Sequence, residues 1–325
     1  MRELVLGDAE AGQRLDRLLR KLLADVPLGT IFRLLRRGVI RVDGKRAKPD
    51  LRTEAGMRVT MPDQIAAAGS SGQSGPTAAS GASDQVDAAA SRRPPSVPHA
   101  LQPRIVHRDD ELLVVDKPAG LAVQPGTGHD YDLCSWLDQQ SFGVRSATYR
   151  PAPVHRLDRG TSGLVACGLS PAASRALSES FRSGAVGKVY VAVVEGRLEA
   201  ASGTIDAPLL LRSNARAHQP KVSIDPRGRP ARSDYERLEV GLRHTLVRLT
   251  LHTGRTHQLR AHLAHLGYPI VGDRRYGAVR VPKASPRSFL LHAAELELPH
   301  PGATGERQAF VAPVPAEFPA ELRLR

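Results

Sequence analysis

A long tract without aromatic residues limits what this chain can fold into. Residues 64–103 contain no Phe, Tyr or Trp and consist largely of Ala, Ser, Gly and Pro. Such a segment buries too little apolar surface to offset the entropy lost on ordering, so we expect a disordered linker. The linker predicts two folding blocks, residues 1–63 and residues 104–325, and the chain of 325 residues is long enough for two domains.

The first block has the pattern of a small domain with two helices and a hairpin. Leucines recur at helical spacing from Leu15 to Leu23, which predicts an amphipathic helix. Ile31 and Leu35 mark the buried face of a second helix, which we expect to end at Gly38. The dipeptide Asp43-Gly44 between two short runs predicts the turn of a β-hairpin.

Positive charge is concentrated in this block. The chain has a net charge of +13, and residues 13–62 alone hold thirteen Lys or Arg against five Asp or Glu. Arg33, Arg36 and Arg37 lie on the second helix and near its end. Neutralising phosphates releases counterions, so a basic cluster of this kind indicates a polyanionic partner. A basic protein without such a partner is the alternative, and the clustering favours a dedicated nucleic-acid module.

Composition disfavours several classes of protein. No stretch approaches the roughly 20 apolar residues needed to cross a bilayer, and residues 1–8 lack the apolar core of a signal peptide. The two cysteines, Cys134 and Cys167, cannot form a disulfide framework or a metal-ligand motif. We therefore expect a cytoplasmic protein with reduced thiols and no membrane partner.

The second block alternates strand patterns with helix patterns. Strands are predicted at 112–115, 163–167, 189–194 and 246–251, and helices at 171–185 and 256–266. Pro171 suits the first turn of its helix. This mixture predicts an α+β domain.

An acidic residue between two arginines is the first candidate for chemistry. Asp158 stands in the run His-Arg-Leu-Asp-Arg at 155–159, and small residues follow at 160–163. The neighbouring positive charges favour the ionised carboxylate, which could serve as nucleophile or base. On the local pattern alone, a surface salt bridge is the commoner outcome.

Two further clusters lie downstream. Tyr190 alternates with apolar residues on a predicted strand, where it could pack in the core or stack on a base. The run 253–267 places several donors at the start of a predicted helix, and the guanidinium of Arg260 could pair with a carboxylate from elsewhere. The histidines of this run have no Cys, Asp or Glu nearby at zinc-ligand spacing, so we expect no metal.

Taken together and in this order, the clusters resemble the RluA-type family of pseudouridine synthases. The resemblance covers residues 104–313 and rests on the runs 155–164, 188–192, 253–260 and 267–277. Residues 1–63 resemble the alpha-L RNA-binding domain, in the form found in the subfamily that acts on large-subunit ribosomal RNA. The chain departs from the family pattern at two places. Gly160 stands where Asp is usual, and Gly168-Leu169 stands where Ala-Lys is common.

The resemblance implies a fold and a set of roles. The fold would be a mixed, largely antiparallel sheet with helices and a central cleft. Asp158 would be the catalytic carboxylate, Arg260 would hold it charged, and Tyr190 would stack on the base and take part in proton transfer. Arg156 would fill the gap left by a flipped nucleotide. The other residues expected to contact RNA or support its site are His155, Thr161, Arg255, His257 and Gln258, with Arg33, Arg36 and Arg37 in the first block.

The resemblance also implies a reaction. The bond from ribose C1′ to the base nitrogen breaks, and the sugar is rejoined to C5 after the nucleotide has left the stack. Asp158 could attack C1′, attack C6 or remove a ribose proton, and the reaction requires no metal or small-molecule cofactor. We expect a monomer acting on 23S ribosomal RNA, free or in pre-ribosomal particles. The alternatives are an enzyme of the same chemistry acting on transfer RNA, and a non-catalytic ribosome-associated RNA-binding or assembly protein.

Overall fold

The described part of the chain forms two compact units. A computed structural model describes residues 1–24, 26–63, 97–126, 130–140, 142–146, 148–212, 221–280, 289–302 and 306–318. Residues 64–96, most of the expected linker, lie outside these ranges, so disorder there stays a prediction. The described residues of the first unit lie within 1–63 and 143–151, and those of the second lie within 97–142 and 152–318.

The first unit combines short strands with two helices. In chain order, its described elements are β1 (Arg2–Val5), α1 (Leu15–Leu22), α2 (Leu28–Arg36), β2 (Arg41–Val42), β3 (Lys45–Arg46) and β4 (Arg58–Met61). The strands pair antiparallel in the order β1-β4-β2-β3. Leu15, Leu18 and Leu19 of α1 pack with Ile31 and Leu35 of α2 in one buried cluster, as the helical spacing predicts.

Two turns in this unit follow from residues that tolerate positive φ. Gly38, at φ 68°, comes directly after the C-cap of α2. Asp43 and Gly44, at φ 49° and 72°, connect β2 to β3. Positive φ at both turn positions matches the twist of paired strands, and the predicted hairpin is confirmed.

A buried carboxylate joins the segment Gly143–Pro151 to the first unit. Glu10 is 4% exposed and accepts hydrogen bonds from the Ser146 hydroxyl, the Thr148 hydroxyl at 2.7 Å and the Gly7 N–H at 3.1 Å. Burial raises the pKa of Glu10, but these hydrogen bonds lower it more, so that the pKa is below its usual value. The sequence pattern assigned this segment to the second domain, whereas its hydroxyls satisfy a carboxylate of the first unit.

The second unit holds most of the strands. In chain order, its described elements are β5 (Arg104–Arg108), β6 (Leu112–Lys117), α3 (Leu133–Gln139), β7 (Ala152–Pro153), β8 (Ser162–Gly168), α4 (Pro171–Ser183), β9 (Gly187–Glu195), β10 (Ser202–Asp206), β11 (Leu209–Arg212), β12 (Lys221–Ile224), β13 (Arg232–Val240), β14 (His244–Leu251), α5 (Gln258–His265), β15 (Leu291–Pro299) and β16 (Arg307–Val311). Within the described ranges, no helix is both long enough and apolar enough to span a bilayer.

One sheet organises this unit. Eight strands follow the order β10-β13-β14-β9-β15-β8-β6-β5, with β16 beside β15 and β7 beside β8. β15 and β8 run parallel, and the other neighbouring strands run antiparallel. β11 and β12 form a separate hairpin. The predicted α+β fold with a mixed, largely antiparallel sheet is confirmed.

The centre of this sheet is buried on both faces. On β9, Tyr190, Ala192 and Val194 belong to one buried cluster, while Val191 and Val193 belong to another. Side chains of a strand alternate between its faces, so two buried faces produce the apolar run that predicted this strand. Tyr190 is the one residue of this run with a polar end, and its face of the sheet carries the candidate site.

The second unit begins before the predicted boundary at residue 104. Val97 is 3% exposed and packs in the same buried cluster as Tyr190. His99–Leu101 then form a 3-10 turn that leads to β5. One buried valine at the end of a tract without aromatic residues produces no periodic pattern. The sequence pattern therefore put the start of this unit after Val97, at residue 104.

Candidate active site

Asp158 lies in the loop between β7 and β8. The Thr161 N–H donates to the Asp158 carbonyl at 3.0 Å and closes a tight turn, after which β8 begins at Ser162. Leu157, 6% exposed, anchors this loop in the core. The Asp158 side chain is 22% exposed. The loop therefore presents a half-buried carboxylate that a substrate can reach.

Arg260 supplies the positive charge that faces this carboxylate. It lies in the first turn of α5, and its side chain is 8% exposed. Its Nη1 donates to Asp158 Oδ2 at 2.8 Å. Its Nε and Nη2 donate to the two oxygens of Asp273 at 2.6 and 2.9 Å. One guanidinium therefore bridges the accessible Asp158 and a carboxylate that is 1% exposed.

The arginines next to Asp158 in sequence have other positions. Arg159 Nε donates to the Gly120 carbonyl at 2.9 Å, and Arg156 is exposed. The ion pair of Asp158 is with Arg260, 102 residues further along the chain. The local sequence pattern thus predicted the wrong ion-pair partners for Asp158, since its partner comes from α5 and not from the neighbouring arginines.

Two aromatic rings fix the orientation of the guanidinium. The ring centroids of Phe289 and Tyr276 lie 4.3 and 5.0 Å from Arg260 Cζ. Burial lowers the pKa of Arg260, but Asp273 and Asp158 together raise it more, so that the pKa is above its usual high value. Arg260 is therefore a permanent cation held by two carboxylates and two rings, and it keeps Asp158 in one position.

Tyr190 faces the same site from β9. Its side chain is buried, with 8% of the residue exposed. Burial raises the pKa of Tyr190, and the nearby Asp158 charge raises it further. The phenol therefore keeps its proton at neutral pH. It can stack on a base and donate a hydrogen bond, but it does not serve as a phenolate.

His257 approaches Asp158 from the start of α5. Its φ of 54° is rare for a residue other than glycine, and α5 begins after it at Gln258 rather than at Thr256 as predicted. Its Nε2 lies 3.8 Å from Asp158 Oδ2. Burial lowers the pKa of His257 to about 4. The ring is therefore neutral near pH 7, and its contact with Asp158 is not an ion pair.

A chain of hydrogen bonds sets the tautomer of this imidazole. The Val222 N–H donates to the Tyr276 hydroxyl oxygen at 3.2 Å, and this hydroxyl lies 3.0 Å from His257 Nδ1. The hydroxyl accepts from Val222 and can donate its own proton to Nδ1. In that arrangement the proton of the neutral ring stands on Nε2, the nitrogen nearest Asp158.

Gln258 supports the loop before α5. It is 3% exposed, and its Oε1 accepts from the Thr253 hydroxyl at 2.8 Å and the Arg255 N–H at 3.0 Å. Its Nε2 donates to the Arg232 carbonyl and the Ser233 hydroxyl, both at 2.9 Å. Both ends of the amide are bonded within the protein, so Gln258 positions the 253–255 loop.

His155 occupies a structural position beside the site. Its ring stacks on Phe181 with centroids 4.3 Å apart, and its Nε2 accepts the Ala166 N–H at 2.9 Å. Burial, with a smaller effect of Lys188, lowers the pKa of His155 to about 3. The residue lines a neighbouring groove and not the cavity that holds Asp158.

The neutral imidazole of His155 predicts that the stability of the folded protein depends on pH. An unfolded-state histidine takes up a proton below pH 6.5, whereas the folded protein resists it down to about 3, so the free energy of unfolding falls across that range. In His155→Gln, the glutamine can still accept the Ala166 N–H but does not titrate. We expect the wild type to lose about 2 kcal/mol more than this variant between pH 7 and pH 5 in urea unfolding. Equal losses would contradict this account of His155.

The side chains around Asp158 surround a cavity of about 150 Å³. Every predicted site residue of the second block lines it except His155: Arg156, Asp158, Thr161, Tyr190, Arg255, His257, Gln258 and Arg260. Arg33, Arg36 and Arg37 are exposed on α2 and at its end in the first unit. Among the described residues, no three His, Cys, Asp or Glu side chains lie together as a metal site requires.

Comparison with known proteins identifies the family of the chain. The family model for RNA pseudouridylate synthase matches residues 111–265. Ribosomal large subunit pseudouridine synthase C of Salmonella typhimurium and of Escherichia coli strain K12 are each 35% identical to the chain over 314 residues, which cover 94% of this chain and 90% of those proteins. The chain belongs to the RNA pseudouridine synthase family. It is an isomerase, and the resemblance noted from its motifs is confirmed.

Solved structures agree with this assignment of the enzyme. Human RNA Pseudouridylate Synthase Domain Containing 1 is similar at a TM-score of 0.55 and 30% identity, covering 67% of this chain and 86% of that one. Human RNA Pseudouridylate Synthase Domain Containing 4 is similar at a TM-score of 0.53 and 25% identity, covering 66% and 90%. Both confirm that the sheet of the second unit is the pseudouridine synthase fold.

Three residues of the candidate site had no role assigned from the sequence. Asp273 and Tyr276 lie in the stretch 267–277 that contributed to the resemblance, and Phe289 lies beyond it. All three contact Arg260, and Tyr276 also contacts His257. The signal available in the sequence was Arg260, an arginine among apolar residues of a predicted helix. A buried arginine needs hydrogen-bond acceptors on more than one side, so further partners were to be expected.

Lys117 also lies near Asp158. Lys117 is fully buried, and its Nζ donates to the carbonyls of Pro118 at 3.0 Å and Leu121 at 2.8 Å. Burial lowers the pKa of Lys117 to about 7, and the Asp158 charge opposes this shift. The lysine closes the turn after β6 from the inside.

The structure explains why glycine stands at the two positions 160 and 168. A Cβ on Gly160 would stand 2.6 Å from the Phe289 ring, so the usual Asp does not fit while that ring covers Arg260. A Cβ on Gly168 would stand 2.7 Å from the backbone of Ser174, so glycine lets α4 approach β8 closely. Gly160 thus makes room for the ring beside Arg260, and Gly168 makes room for α4.

Proposed function

We propose that the enzyme converts uridine to pseudouridine in large-subunit (23S) ribosomal RNA by flipping the target nucleotide into the Asp158 cavity. The observation that carries the proposal is one carboxylate, held by a buried cation and faced by a protonated tyrosine, at the wall of a small cavity. The relatives that align over 90% of their length are named for the large ribosomal subunit. That name supports the choice of ribosomal RNA.

The geometry supports a specific oxygen as the reacting atom. Arg260 holds Oδ2 of Asp158, whereas Oδ1 has no hydrogen-bond partner among the described residues. In the proposal, Oδ1 attacks C1′ or C6 of the uridine or removes a ribose proton. The bond from C1′ to N1 then breaks, and the sugar is rejoined to C5 while Tyr190 stacks on the base and keeps it in the cavity. C5 loses its proton, N1 gains one, and any bond or proton that Oδ1 has taken is given back, so the reaction is a net isomerisation.

The flipped nucleotide leaves a gap in the RNA stack. Unstacking costs a few kcal/mol, so a side chain that fills the gap lowers the cost of flipping. Arg156 is exposed at the cavity and has no ion-pair partner in the described part of the chain. A planar, unpaired guanidinium suits stacking between bases, so we assign this role to Arg156.

An assay with two transcripts separates the candidate substrates. Purified enzyme is incubated with in vitro transcribed 23S ribosomal RNA and, separately, with a pool of transfer RNA, and pseudouridine is mapped in each. The proposal predicts modification of the ribosomal RNA alone. Modification of transfer RNA alone would favour the alternative substrate. Tight RNA binding with no pseudouridine in either would favour the non-catalytic assembly protein.

The first unit is proposed to grip RNA through its arginines. Arg33, Arg36 and Arg37 are exposed on α2 and at its end, as phosphate contacts must be. In the full chain, changing all three to glutamine should weaken binding and reduce the slope of log affinity against log salt by about 2. Changing all three to lysine keeps the charge and should keep the slope. A wild-type slope in the glutamine variant would mean that RNA is held elsewhere.

We further propose that the enzyme works as a monomer in the cytoplasm, on ribosomal RNA that is free or in pre-ribosomal particles. The isomerisation involves no net redox change and no phosphoryl transfer, so the chain's own side chains suffice without a metal or a small-molecule cofactor. A ribosomal substrate gives the protein no need for a membrane partner.

A further inference from the structure

A second, larger groove adjoins the catalytic cavity. It has a volume of about 610 Å³ and shares Arg156, Tyr190, Leu251 and Arg255 with the cavity. Its other lining residues include Arg182, Lys188 and two histidines. No Asp or Glu is among the described side chains that line it. An RNA strand whose target base occupied the cavity would therefore run over a positively charged surface next to the cavity.

Lys188 is placed to act together with Tyr190. Both residues lie on β9 two positions apart, so their side chains project from the same face at a separation of about 7 Å along the strand. Leu251, at the end of the neighbouring β14, lines both the groove and the cavity. The residue that faces the target base and the lysine of the groove are thus fixed on one rigid strand.

Lys188 differs from the arginines of the groove in being half-buried with no partner for its charged group among the described residues. Arg182 pairs with Glu179 on the same helix, Arg255 donates to the Pro230 carbonyl at 3.0 Å, and Arg156 is exposed. Lys188 has no ion pair or hydrogen bond from its ammonium in the described part of the molecule, although it is half-buried. Burial accordingly lowers the pKa of Lys188. A partly desolvated ammonium without a partner costs stability, which an incoming anion would recover.

We propose that this groove binds the backbone phosphate of a nucleotide next to the target uridine, with Lys188 as its main contact. The proposal rests on the proposed function, because it places the target base against Tyr190. The phosphodiester is the anion that RNA brings at every nucleotide, and a lysine acts on it as a point charge with several donors. Lys188 is thereby a binding residue that orders the strand at the cavity and not a catalytic one.

The test compares Lys188→Met with the wild type on in vitro transcribed 23S ribosomal RNA. Methionine keeps the apolar stem and removes the charge. We expect KM and the dissociation constant to rise about 10-fold, kcat to stay within about twofold, and the salt slope to fall by about 0.7 to 0.9. The melting temperature should stay the same or rise, because the half-buried charge without a partner is gone. Lys188→Arg should retain most of the affinity.

Arg243→Met provides a matched control. Arg243 is exposed in the turn before β14, at the opposite end of that strand from Leu251, and its loss removes the same single charge. It should leave KM and the salt slope at wild-type values. The inference is overturned if Lys188→Met behaves like this control, if it lowers kcat with KM unchanged, or if it lowers the melting temperature so that Lys188 is structural. Absence of pseudouridine with the wild-type enzyme would instead refute the proposed function.

Discussion

Asp158→Asn is expected to reduce pseudouridine formation by at least about 10³-fold, which corresponds to about 4 kcal/mol of activation free energy. The amide keeps the shape of the side chain and can still accept a hydrogen bond from Arg260. It offers no anionic oxygen to attack the nucleotide or to remove a proton. RNA affinity should stay within roughly twofold, since phosphate contacts dominate it. The measurement is single-turnover formation of pseudouridine together with filter binding.

The matched control for this variant is Asp206→Asn. Asp206 is an exposed carboxylate at the end of β10 and has no part in the proposed site, so the variant should have wild-type activity. Near-full activity in Asp158→Asn would end the role assigned to this carboxylate. A parallel loss of RNA binding and thermal stability would indicate that the substitution disturbs the loop, and Asp158→Glu would then report whether the charge alone can act from a longer side chain.

Arg260→Met is expected to cause the largest loss of stability. The substitution leaves the Asp273 carboxylate, 1% exposed, without its two hydrogen bonds and removes the cation from between two rings. Breaking one side of a buried ion pair costs about 3–5 kcal/mol of unfolding free energy. Activity should be lost as well, because Asp158 loses the group that positions it.

A second substitution separates these two effects. Arg260→Met combined with Asp273→Asn removes the stranded charge, so the double variant should be more stable than Arg260→Met alone by more than about 1 kcal/mol. It should remain inactive, since Asp158 still lacks its partner. Urea unfolding measures the first outcome and pseudouridine formation the second. Equal stability of the single and double variants would show that Asp273 is not held as a charge by Arg260.

The fold was predictable where burial imposes a period. The leucines of α1 mark a helix by their spacing, and the apolar run of β9 marks a strand because the sheet is covered on both faces. Positions without a period were missed. Val97 is one buried residue in an otherwise polar tract, and His257 delays the start of α5 through a backbone angle that no residue pattern predicts.

The site was predictable as a list of residues but not as a network. The motifs brought Asp158, Tyr190 and Arg260 forward, and the fold places all three at one cavity. The partners that fix Arg260 come from elsewhere in the chain, since Asp273 and Phe289 follow it by long or irregular connections. That the Lys188 ammonium has no partner among the described residues is likewise a result of tertiary packing, because the local sequence does not show which cations will lack a counterion.

The most direct test of the central claim is pseudouridine mapping of total RNA from cells that lack this protein. We expect large-subunit ribosomal RNA to lose pseudouridine at one or more positions, the wild-type protein to restore it, and Asp158→Asn not to restore it. An unchanged map, or full restoration by Asp158→Asn, would contradict the claim.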